Sequence, residues 1–82
     1  MPTPEVIDRV RALHEHLEHE PHGALEPLRP QLRTIVSEPH DPAHYNSLSE
    51  RLQAAYESLE VEHPKLAAVV QATMNALNAA GI

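Results

Sequence analysis

Eighty-two residues with no Cys, Phe or Trp, and a net charge of -6 with neutral His, describe one small domain. The missing Cys excludes a disulfide scaffold, a thiolate metal site and a cysteine nucleophile. The acidic balance argues against nucleic acid and against anionic membrane surfaces, both of which select Lys and Arg.

Thr3 is placed to cap a first helix, with Pro4 at its first position and Glu5 in its first turn. Glu5 and Arg9 stand four apart in the stabilising order. Val6, Val10, Leu13 and Leu17 step by four, three and four, a narrow stripe that only another helix can bury. The spacing predicts a helix over 4–20, which Pro21 and Gly23 end.

The second segment carries Leu25, Leu28, Leu32, Ile35 and Val36, with Pro27 and Pro30 inside it. Proline fits a helix only in the first turn, which predicts a helix over 28–38, before Pro39. Pro39 to Asn46 reads as a connector. Asn46 or Ser47 then caps a third helix over 47–62, and Ser47 with Glu50 fits a capping box. Its stripe is Leu48, Leu52, Ala55 and Leu59, with Tyr56 and Tyr45 at the edge.

His63-Pro64 marks a break, and Pro64 suits the first turn of a fourth helix over 64–80. Leu66, Val70, Thr73 and Leu77 repeat the four, three, four stepping over a wider face, and Ala68, Ala72, Ala76 and Ala80 form a row along which a neighbouring helix can approach closely. Lys65 is its one charge and Gly81 is placed to end it. This helix is expected at the centre of the bundle or at a subunit interface. Whether the chain bends at Pro64 or folds back fully is open at this level.

Two stretches carry a family resemblance. His63-Pro64-Lys65-Leu66-Ala67-Ala68, running through Ala76-Leu77 to Gly81-Ile82, resembles the closing helix of the bacterial domain-of-unknown-function family 4404, with its HPxLAA start and GI finish. Leu13-His14-Glu15-His16-Leu17-Glu18 is similar to that family's N-terminal Leu-x-x-x-Leu-Glu helix. The resemblance covers nearly the whole chain. It departs at Pro27 and Pro30, which interrupt a longer helix, and at Leu59, where an aromatic is common. It implies a bacterial, helical, cytoplasmic protein of unknown function and supplies no catalytic residue.

Seven His are the one chemical oddity. His14, His16, His19 and His22 cluster at the end of the first helix, interleaved with Glu15, Glu18 and Glu20. Imidazole and carboxylate at i, i+3 or i, i+4 can chelate Zn, Ni or Cu, and His16, His19 and Glu20 are the candidate ligands. One helix face supplies two ligands, whereas a site needs three or four. The run HEHLEH lacks the spacing of zinc-protease HExxH. Glu60-x-x-His63 has di-iron spacing, but no second such motif accompanies it. His40, Asp41 and His44 read as connector residues, and Ser37, Ser47, Ser49 and Ser58 as caps and surface polars.

The expectation is an all-α domain: a small bundle of four short helices arranged as helical hairpins. So small a core also suggests self-association as a homodimer. Its function is expected to be non-catalytic protein–protein association, with an unknown protein partner, no cofactor, no nucleic acid and no membrane. Leu66, Val69, Val70, Met74 and Leu77 are the candidate contacts, with burial inside one subunit as the competing reading. The alternative function is a metal- or pH-responsive protein using the His-rich end of the first helix. Met-Pro-Thr-Pro-Glu lacks a signal-peptide pattern, and 66–82 is too short and polar for a comfortable span, so a cytoplasmic setting is expected.

Overall fold

The computed structural model describes residues 2–82. Among them are four α-helices and no strand: α1 (Pro4–His19), α2 (Arg29–Ser37), α3 (Leu48–Leu59) and α4 (Pro64–Ala79). Two short 3-10 helices, Glu26–Leu28 and Pro42–Tyr45, sit in the connectors. The chain folds back at Pro64, and α3 and α4 pack side by side. α4 also packs on α1, and α1 on α2, giving the order α3–α4–α1–α2.

Each stripe read from the spacing is buried. Val6, Val10, Leu13 and Leu17 face inward from α1, and Leu48, Leu52, Ala55 and Leu59 from α3. Leu66, Val70, Thr73 and Leu77 do so from α4, joined by Ala67, Met74 and Ala76. Leu25, Leu28, Leu32 and Ile35 complete one core. Thr73 satisfies its buried hydroxyl by donating to the Val69 carbonyl at 3.0 Å. The row of alanines is split by the packing: Ala76 is buried, Ala72 and Ala80 half-buried and Ala68 exposed.

The homodimer is expected because so small a core is marginal and self-association would bury more of the stripes. Within one chain the helices cover each other's seams, so burial alone requires no second copy. Val61, 84% exposed, is the exposed large hydrophobic residue among those described.

The helix ends show where local chemistry acts. Thr3 Oγ1 accepts from Val6 N–H at 3.3 Å, as an N-cap should. At the other end of α4, Gly81 adopts φ +74°. There Ile82 N–H donates to the Leu77 carbonyl and Gly81 N–H to the Asn78 carbonyl, at 2.9 and 3.1 Å. That paired closure is a Schellman motif, and Ile82 packs back on the core beside Leu77, so Gly-Ile is a helix lock. Pro27 lies in the first 3-10 turn and Pro30 in the first turn of α2, where neither removes a needed N–H.

Two expectations fail at α3. The capping box is not formed: Ser47 has φ 59°, in the left-handed region, and its hydroxyl makes no cap bond. A side-chain cap needs an extended Ncap backbone, and the chain here is held otherwise. Gln31 Nε2 donates to the carbonyls of His44 and Asn46 at 3.0 and 2.9 Å. Arg51 in turn donates to Gln31 Oε1 and to the Pro27 carbonyl. At its other end α3 stops at Leu59, short of residue 62, and Glu60–Glu62 form a turn. Tyr45, expected at the edge of the seam, is buried instead, and its hydroxyl donates to the Pro39 carbonyl at 2.6 Å. Burial pushes the Tyr45 phenol above its ordinary value.

Candidate functional site

Because α1 and α4 pack together with the last turn of one beside the first turn of the other, two helix breaks meet. The break at Pro21 follows α1 and the break at His63-Pro64 precedes α4. Between them lies a cleft of about 650 Å³ lined by His16, Glu20, Pro21, His22, Glu62, His63, Pro64, Lys65 and Leu66. Pro21, Pro64 and Leu66 form its apolar wall, and Val61 stands on the turn beside it.

His22 and His63 touch across the cleft, with ring centroids 4.4 Å apart and planes at 75°, an edge-to-face pair. His22 Nδ1 accepts from Ala24 N–H at 3.1 Å. The His22 carbonyl accepts from Leu25 N–H and Glu26 N–H at 3.0 and 3.1 Å. One residue therefore organises the α1–α2 connector. His63 joins two helices: its N–H donates to the Leu59 carbonyl at 2.8 Å, and its carbonyl accepts from Ala67 N–H at 2.9 Å. Its side chain makes no cap bond to α4.

Three of the other histidines lie beside carboxylates. His16 Nε2 lies 3.6 Å from Glu20 on the cleft rim. His14 Nε2 lies 3.2 Å from Glu18, without hydrogen-bond alignment, and Glu18 also meets Arg29 at 3.3 Å. His44 Nε2 sits between Glu38 at 3.0 Å and Asp41 at 3.6 Å, while Asp41 Oδ1 also accepts from Ala43 N–H. His40 is exposed and stands outside that group.

The metal candidates are not assembled. His16 and Glu20 meet, but His19 is exposed and does not line the cleft. No three His, Asp or Glu among the described residues lie where they could hold a metal ion. His22 is also unsuited as a ligand in this arrangement, because a neutral imidazole has one acceptor nitrogen and Ala24 N–H occupies it. Glu60 ends α3 and Ser58 Oγ faces the Ala54 carbonyl at 3.5 Å, so both serve their helix.

The candidate contacts on α4 are core residues in the single chain. Leu66, Val70, Met74 and Leu77 are buried, and Val69 is half-buried against the same core. Residues that the sequence pattern did not single out as contacts, Pro21, His63, Pro64 and Val61, mark the surface that remains open. The available signal was that His22 and His63 each adjoin a proline at a helix break.

A family described as domain of unknown function (DUF4404) matches residues 6–82. No curated protein and no solved structure matches the chain.

Proposed function

The chain belongs to the DUF4404 family of unknown function, and from that premise we propose that it is a non-catalytic association module whose working surface is the cleft between the end of α1 and the start of α4. The observation that carries the reading is the placement of exposed apolar surface. The seams are buried within the chain, while Val61 is left in solvent beside a cleft with an apolar wall. Apolar contact with a polar rim is the ordinary anatomy of a protein interface. Here His16, Glu20, Glu62 and Lys65 provide that rim. A second copy of the chain or an unlike protein can dock there. A homodimer formed this way would use the cleft end rather than the stripe of α4.

The non-catalytic part is supported by the cleft's own residues. Its lining holds no Ser, Thr or Cys for a histidine to activate, and the acceptor nitrogen of His22 is already engaged. No helix among the described residues is long and apolar enough to cross a membrane. We keep a cytoplasmic setting as part of this proposal.

A photo-crosslinking amino acid placed at Val61, with Arg11 on the exposed face of α1 as the control position, tests it in the native host. The expected result is an adduct of one defined mass from Val61 and none from Arg11. Equal labelling from both positions, or none from Val61, rules the cleft end out as the working surface.

A further inference from the structure

One of the bonds that shape the cleft end requires a neutral imidazole. Three backbone N–H groups of the connector converge on His22, two on its carbonyl and one on Nδ1. Nδ1 accepts from Ala24 N–H only when the ring proton is on Nε2. A second proton would turn Nδ1 into a donor facing a donor. The same ring lies edge-to-face on His63, which itself stands at the N-terminus of α4. Positive charge is disfavoured at that terminus by the aligned peptide dipoles.

The charged neighbours do not reverse this. α1 presents His16 and Glu20, which pair with each other at 3.6 Å, and protonation of His16 engages Glu20 more firmly. The α3–α4 turn presents Glu62 and His63, and α4 presents Lys65. On the adjoining 3-10 helix, Glu26 is paired with Arg29 at 3.3 Å. Acid therefore gathers His16, His22 and His63 cations around Lys65, with exposed Glu62 as the carboxylate left to offset them. Elsewhere the sign is opposite, because His14 lies beside Glu18, and His44 beside Glu38 and Asp41.

We propose that the neutral His22–His63 pair is a latch, and that protonation of His22 releases the 20–26 connector from the start of α4 and opens the cleft. As regulation of docking, this inference rests on the reading of the cleft end as the association surface; as a conformational change it stands without it.

The test is NMR of the full chain at pH 7.5 and 5.5. At the higher pH, the imidazole nitrogen shifts should report the Nε2–H tautomer for His22, with cross-peaks between the His22 and His63 rings. At the lower pH the ring cross-peaks should be lost and the amide resonances of residues 22–26 should shift, while the Gly81 and Ile82 amides stay in place. His22→Asn keeps an acceptor near the Nδ1 position and cannot take a charge, so its connector amides should not move over the same range. Ring cross-peaks that persist at pH 5.5 in the parent chain overturn the latch, whatever the variant does. Equal movement of the connector in His22→Asn overturns it too. A latch that opens without any Val61 adduct leaves the inference standing and removes the docking reading; the converse removes the latch alone.

Discussion

The two ends of the α1–α4 pair are closed by different chemistry. At one end Thr3 caps α1 and Gly81 with Ile82 locks α4, so backbone groups are matched by a hydroxyl and by each other. At the other end, about 24 Å along α4 at 1.5 Å per residue, two histidine rings and a cleft stand where caps would be. The first end has no titratable side chain in its closure, whereas at the second the His22 ring accepts from Ala24 N–H and packs against His63, which does not cap α4. A proton on His22 would disturb that connector bond and leave the Thr3 and Gly81 closures untouched. The difference identifies the cleft end as the part of this fold not determined by packing alone.

The largest effect should come from truncating the core at each end. Leu77→Ala at the locked end should cost about 2–5 kcal/mol, the range for a fully buried Leu. Leu66, at the cleft wall and 8% exposed, should cost less in the same thermal or denaturant unfolding experiment. If Leu66→Ala proves the more damaging of the two, the cleft end is packed as tightly as the other and the contrast fails.

Gly81→Ala tests the lock itself. Space for the added methyl is open, so the cost is the left-handed backbone alone, about 1 kcal/mol. The loss should be the same at pH 7.5 and 5.5, and a marked difference between them would mean that this end also titrates.

Tyr45, in the connector between α2 and α3, gives a separate pH response. Its phenol is pushed up by burial, so above about pH 10 the unfolded chain ionises first and binds fewer protons than the folded one. Stability is then whole below pH 10 and falls as pH rises beyond it. Tyr45→Phe should lose about 1 kcal/mol at neutral pH with the bond to the Pro39 carbonyl, and should flatten the alkaline fall. An unchanged alkaline profile would assign that fall to other groups.

Ser47→Gly should be the smallest change. Relief of left-handed strain, about 1–2 kcal/mol, is partly offset by about 0.5–1 kcal/mol of added backbone freedom in the unfolded chain. The net gain expected is roughly half a kcal/mol, read as a small rise in midpoint.

Much of this fold is legible in spacing. Val6, Val10, Leu13 and Leu17 are all buried, as are Leu48, Leu52, Ala55 and Leu59, because a stripe on one helix face has a single way to hide. Proline and glycine at the helix breaks were readable for the same local reason. The cleft was not readable, because His22 and His63 meet through the pairing of α1 with α4 and no local pattern specifies that pairing. The α4 contacts show the limit from the other side. Leu66, Val70, Met74 and Leu77 were recognisable as apolar, but whether an apolar face meets its own chain or a partner depends on the tertiary arrangement. Ser47 shows local rules overruled, since a Ser three residues before a Glu fits a capping box, yet Gln31 holds the preceding carbonyls of His44 and Asn46.

The central claim is that, among the described residues, one chain completes its own core and leaves the cleft end open. Thermal unfolding followed from micromolar to millimolar protein tests it most directly, because a core completed by a second copy makes the midpoint rise with concentration. A midpoint that stays constant across that range is the predicted result. A midpoint that climbs steadily with concentration, and climbs as steeply when Val61→Asp blocks docking at the cleft end, would show that the seams close between chains and would contradict the account.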